Sequence, residues 1–111
     1  MVERLRRAYR MGLTLAFGSD VFFTSPGMTR GQTAISYIDS AVEAGLGPRA
    51  ILEQMIPNSA RLLGVEKQRG AVRAGLAADL IATRSSPLQD IRALRSVFFV
   101  MKDGRVIRDQ R

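Results

Sequence analysis

LTLAFGSDVFF, residues 13–23, is the stretch on which the fold turns. Leu13 to Phe17 run without polar alternation, and Gly18-Ser19-Asp20 stops them. An unalternating short run predicts a five-residue strand apolar on both sides, the pattern of a parallel strand covered on both faces. The residues before it, VERLRRAYRM, predict a helix. Val2, Leu5 and Tyr9 share one face, and the arginines take the other. Gly12 lies between the two as a C-terminal stop, because positive φ costs glycine nothing. Helix, glycine and buried strand make half of an α/β unit.

The carboxylate at the end of the strand needs a reason. Parallel α/β sheets place their sites outside the carboxyl ends of the strands, where Asp20 sits. Position alone leaves two readings. Asp20 is a functional acid, or it caps its loop by accepting backbone N–H groups as an Asx turn does.

Residues 18–31 carry turn residues throughout and predict a long loop. A second helix is expected from Gln32 to about Ala44, with Ala34, Ile35, Ile38, Ala41 and Val42 as its apolar stripe, and Gly45 and Gly47 punctuate its end. Pro48 suits the first turn of a third helix over 48–56, burying Ile51, Leu52, Met55 and Ile56. Asn58 is expected to cap a short helix, NSARLLG, ended by Gly64. The texture then changes. Residues 65–76 are polar and broken by glycine, 78–83 (ADLIAT) predict a strand, and SSPLQDI predicts turn and loop. SVFFVM (96–101), Asp103-Gly104 and RVIRD predict a β-hairpin on a two-residue turn. Helices dominate before Gly64 and strands after it, so a subdomain boundary is expected there.

Composition narrows the chemistry. The 111 residues fit one domain, and 46% hydrophobic with 24% charged is a globular balance. The chain contains no cysteine and no histidine, which removes disulfides, thiolates, the commonest metal ligand and the commonest general base. Net charge is +7. The basic residues are scattered and no aromatics interleave with them, which points to solvated surface rather than nucleic acid. No run approaches the roughly 20 apolar residues of a membrane helix, so no membrane role and a cytoplasmic location are expected.

GSD after an apolar strand, then NSARLLGVEKQRGAVRAGLAADLIAT (58–83), then SPLQDIRALRSVFFVMKDGRVIRD (86–109), resembles the C-terminal end of the amidohydrolase superfamily. The nearest subgroup is the imidazolonepropionase-like and prolidase-like metal-dependent hydrolases. The likeness runs from about residue 2 to 109 and rests on the order of the motifs, since each alone is weak. It implies an α/β fold: a C-terminal fragment of a (β/α)8 barrel, its last strand and helices, over residues 1–64. Residues 65–111 would then be the C-terminal part of a composite β-sandwich. It also implies hydrolysis of C–N bonds in non-peptide amides or dipeptides, with a small-molecule substrate for the full-length enzyme. Asp20 would be the carboxylate after the eighth strand, lying at a divalent metal, zinc in this family, and moving the proton of the attacking water.

The family's histidine ligands are absent here. Asp20 could ligate only with ligands from missing N-terminal strands, so no cofactor is expected on this chain alone, and the isolated chain is expected to be inactive. The chain reads as a fragment or truncated product, completed by the missing N-terminal barrel portion or by self-association. The alternative is a non-catalytic dimerising or basic interaction module.

Other residues carry expectations of their own. Arg30, in PGMTRG, is a candidate for binding a substrate carboxylate through its fork geometry. Phe22 and Phe23 either line a pocket or pack beneath the loop, and packing is the expectation. Asp79 reads as structural. Gly70, Gly75 and Gly104 read as turn glycines, since GAVRAG lacks the ending of a phosphate loop.

Overall fold

The computed structural model describes residues 1–111. Helix α1 (Val2–Arg10) ends as its sequence predicts. Gly12 takes φ +72°, its N–H donates to Tyr9, and the Leu13 N–H donates to Ala8. This paired closure is the Schellman motif. It recurs at Gly45 (φ +90°), where Leu46 donates to Ala41, and at Gly64 (φ +69°), where Val65 donates to Ala60. Three helical stretches thus stop at three glycines that the sequence marks.

The helix expected from Gln32 begins earlier and is interrupted. Thr29 and Gln32 form a reciprocal capping box that starts α2 (Arg30–Ser36), and α3 (Ile38–Glu43) follows across Tyr37. The Ser36 hydroxyl donates to the Thr33 carbonyl, three residues back, at 2.7 Å. Such back-bonding competes with the helical ladder and marks the break. The buried stripe is Thr33, Ile38, Ala41 and Ala44, whereas Val42, expected inside, is 39% exposed.

Pro48 opens α4 (Pro48–Glu53) at its first position, as expected. The chain does not stop and restart at Asn58. A π-turn (Gln54–Asn58) runs directly into α5 (Ser59–Leu62), and Asn58 is helical with no capping bond. Pro57 supplies the cause: it has no N–H to give the ladder, and its ring crowds the carbonyl four residues back. The wider turn accommodates both defects. Ile51 is buried, but Ile56, on the bulged turn, is 44% exposed rather than buried.

Residues 13–17 do not form the expected parallel strand. Their burial alternates from Thr14 to Asp20 as in an extended chain, but no partner strand pairs with them. Leu15 and Phe17 are half-buried against the helices, while Thr14 and Ala16 face outward. One face is therefore covered, not two. The fold is α/β in composition, but its only sheet is antiparallel, in the order β1 (Leu80–Thr83), β2 (Val97–Lys102), β3 (Arg105–Asp109). Asp103 and Gly104, at φ +47° and +75°, make the tight turn of the hairpin.

Between the SSPLQDI loop and β2, over residues given no element from the sequence apart from Ile91, lies a 3-10 helix (Ile91–Arg95), started by the Asp90 side chain accepting from the Arg92 N–H at 2.9 Å. Ile91 and Leu94 join Ile38, Ala41, Ala44, Leu46 and Ile51 in the main core. This short helix couples the sheet to the helices. No helix is long and apolar enough to cross a membrane.

Gly70 is more than a turn residue. At φ +97°, a Cβ there would stand 2.6 Å from the Ala60 Cβ on α5. Gly70→Ala should destabilise the chain by about 1–3 kcal/mol through overpacking, beyond the backbone strain. Gly75→Ala (φ +88°, open space) carries the strain alone. Equal losses in urea denaturation of the two variants would show that the contact is not limiting.

Candidate functional site

The extended segment 13–19 is held in place from one side. The Phe17 N–H donates to the Gln54 carbonyl at 3.1 Å, and the Asn58 amide donates to the Leu15 carbonyl at 2.8 Å. The Ser59 hydroxyl accepts from the Phe17 N–H at 3.3 Å and donates to the Gln54 carbonyl at 2.7 Å. Asn58 and Ser59 therefore clip the segment to the π-turn, a role that the sequence reading as a helix cap missed. Gln54, the residue whose carbonyl receives these bonds, is itself buried.

Asp20 ends this clipped segment. Its φ of +49° is left-handed, a conformation uncommon outside glycine and most accessible to Asn and Asp. No backbone N–H of the chain donates to its carboxylate, and it lies in no ion pair, so the Asx-turn bonding considered for it is not formed. Asp20 is exposed, with both oxygens free to meet a ligand.

Arg30, the first residue of α2, donates its Nε to the Val21 carbonyl at 3.2 Å. The contact ties the loop just after Asp20 to the start of the helix. Arg30 thus reaches the backbone beside Asp20, and its two terminal nitrogens make no hydrogen bond within the chain. Phe22 and Phe23 do not pack beneath the loop. They are 81% and 46% exposed, edge to face, with centroids 5.5 Å apart. The loop closes around Ser25–Met28 and the Ser25 N–H bonds the Thr33 hydroxyl at 3.0 Å, which leaves the two rings outside.

Asp79 lies away from this loop. It accepts from the Asp103 N–H at 2.9 Å, from Lys102 at 2.9 and 3.0 Å, and from Arg69 at 2.9 Å. The Asp103 N–H and then the Lys102 ammonium hold its carboxyl below the ordinary carboxylate value. The bond to Asp79 in turn raises Lys102. These contacts fasten the hairpin turn to the start of β1, a structural use.

The residues of this chain do not by themselves fit a metal. No three carboxylates, histidines or cysteines come together, and Asp20 stands alone.

No protein-family model matches the chain. Ochratoxinase of Aspergillus niger is 30% identical over 105 residues, spanning 91% of this chain and 21% of that protein. Among solved structures, a Xaa-Pro dipeptidase with methionine bound in its active site is 31% identical with a TM-score of 0.82. The match covers 96% of this chain and 25% of that one. The chain is a relative of amidohydrolase-family enzymes. Molinate hydrolase, at 25% identity and a TM-score of 0.83, matches over 95% of this chain and 26% of its own. The chain thus spans about a fifth to a quarter of the proteins it matches.

Two tests follow from this geometry. Ser59→Ala should cost about 1 kcal/mol and speed hydrogen exchange at the Phe17 amide; unchanged exchange there would show that Ser59 does not hold the segment. For Asp79, a folded pKa below the unfolded one gives stabilisation that is present above about pH 4 and lost as pH falls through the folded value. The stability gap between wild type and Asp79→Asn should therefore close in acid, read from urea midpoints between pH 2 and pH 7. A gap constant across that range would contradict the linkage.

Proposed function

We propose that this chain is the Asp20-bearing part of a hydrolase acting on C–N bonds, and that it works only with a complementary barrel portion. In this reading residues 13–20 take the place of the last barrel strand and its catalytic loop. The observation that carries it is the free, left-handed Asp20 carboxylate at the end of a segment clipped along one side only.

In the reaction, Asp20 accepts a proton as the water oxygen attacks the amide carbonyl carbon. The C–N bond breaks, and the same proton passes to the leaving nitrogen. Arg30, anchored beside Asp20, would present its free terminal nitrogens to a substrate carboxylate. The substrate is then a small amide or dipeptide with a free carboxylate. A divalent metal such as zinc would take its remaining ligands from the complement, because these residues do not assemble a site.

Surface area supports a complement. The chain exposes 7933 Å², against about 6,100 Å² expected for a folded monomer of this mass. An ordinary interface takes about 800 Å² from each partner, so the excess exceeds one such interface. Exposed Leu62, the last residue of α5, and Leu63 just after it also favour a second reading, self-association.

The test pairs the full chain with a prolidase-type barrel from which the matching quarter is removed, zinc added, on a panel of dipeptides and N-acyl amino acids. The chain alone should turn over nothing. The pair should be active, and Asp20→Ala should lower its rate by about 10²–10⁴. Activity untouched by that substitution would remove Asp20 from the chemistry. An inactive pair together with a stable dimer in sedimentation would favour self-association.

A further inference from the structure

A groove of about 720 Å³ separates the helices from the sheet, and three arginines line it: Arg84, Arg95 and Arg108. No carboxylate lines it. Arg84 follows β1, Arg95 ends the 3-10 helix and Arg108 lies in β3, so residues distant in sequence converge on one cleft. Arg95 is offset by its ion pair with Asp39. Arg84 and Arg108 have no acidic partner.

Both of these guanidiniums meet at Gln110. Arg84 donates to its backbone carbonyl at 3.3 Å, and Arg108 donates to its side-chain oxygen. Gln110 is fixed in turn, because its N–H donates to the Phe98 carbonyl at 2.9 Å. The Arg84 guanidinium also sits 5.1 Å from the centre of the Phe98 ring, which orients its plane. Two guanidiniums thus bond one neutral residue, through its backbone and side-chain oxygens, and neither has a counter-ion in the chain, which an anion in the groove would supply.

Thr29 and Gln32, also in the lining, have donors to spare. Thr29 accepts from the Gln32 N–H, leaving its hydroxyl proton free, and Gln32 accepts from the Thr29 N–H through its oxygen, leaving its amide NH₂ free. A cleft that offers donors and fixed guanidinium forks suits a ligand with many acceptor oxygens and more than one negative charge.

We propose that this groove binds a small molecule carrying a diphosphate or phosphate-ester group. Neither Asp20 nor Arg30 lines the groove, although Thr29 and Gly31 from the end of their loop do, and the proposal does not depend on the hydrolase reading. A carboxylate monoanion offers two oxygens and one charge, and would leave one of the two guanidiniums uncompensated.

The experiment is calorimetric titration of the full chain with inorganic pyrophosphate. The double variant Arg84→Gln/Arg108→Gln removes the two unpaired charges, and Arg7→Gln/Arg10→Gln removes the same charge from the exposed face of α1. Saturable binding is expected, weakened about tenfold or more in the groove variant and within about twofold of wild type in the α1 variant. Arg108→Lys keeps the charge but not the fork and should weaken binding severalfold, with an unchanged circular dichroism spectrum and urea midpoint. Equal weakening by the two double variants would overturn the proposal, because it would show attraction to net charge alone. So would the absence of binding, or binding of duplex DNA that outcompetes pyrophosphate and responds equally to both variants.

Discussion

One missing hydrogen organises this molecule. Pro57 has no N–H, so the helix that begins at Pro48 cannot keep a regular ladder through it. The chain widens into a π-turn at Gln54–Asn58 instead of breaking. That widening leaves the Gln54 carbonyl in reach of Phe17 and Ser59, and it places the Asn58 amide against Leu15. The extended segment has no neighbouring strand in this chain, so these few bonds and the burial of Leu15 and Phe17 are what hold it straight. The position of Asp20 depends on them, because Asp20 is the last residue the straight segment delivers. A π-bulge next to a functional loop is a recurrent arrangement for this physical reason: it frees backbone groups that something else can then use.

The two halves of the chain are fastened by different means. Apolar packing links them through the 3-10 helix, whose Ile91 and Leu94 enter the core made by Ile38, Leu46 and Ile51. Burying side chains of this size contributes about 1.5–3 kcal/mol each. The hairpin is secured by polar contacts around Asp79, which ties Lys102, Asp103 and Arg69 at the surface. Solvent-exposed ion pairs contribute little singly, so the backbone N–H of Asp103 and the shared geometry matter more than the number of charges.

The parts of this fold that were legible in the sequence are those in which a residue type dictates a backbone state locally. Gly12, Gly45 and Gly64 end helices because each takes positive φ. Asp103-Gly104 makes the hairpin for the same reason, and RVIRD is the strand expected. The parts that were not legible depend on partners far along the chain. Leu13–Phe17 has the composition of a parallel strand, yet a strand is a pairing, and no second strand lies beside it. Asn58 has the chemistry of a cap, but Pro57 decides otherwise, and the amide finds Leu15 forty-three residues away. Phe22 and Phe23 read as core because aromatic rings usually are, and the sequence could not show that the loop closes through Thr33 without them. Asp20 was legible as a position, at the end of a strand-like run. Its free carboxylate was not, since the absence of an Asx-turn bond is a matter of three-dimensional geometry. The arginines at 84, 95 and 108 carry no spacing signal at all, because three separate elements bring them together.

Under the proposed function, the one-sided support of residues 13–19 bears on how Asp20 would work. A general acid or base must keep its distance to the reacting atoms within a fraction of an ångström. A segment clipped only along its helix-facing edge resists displacement toward that side and little toward the other. The outward residues Thr14 and Ala16 present unpaired backbone groups of the kind that sheet edges normally satisfy with a neighbour. A strand laid against that open edge would supply hydrogen bonds and cover the apolar face in the same step, so ordering Asp20 and removing exposed surface are one event rather than two. Under the proposed reading, catalytic competence would therefore be coupled to association. The contacts that bring in metal ligands would then also fix the Asp20 carboxylate.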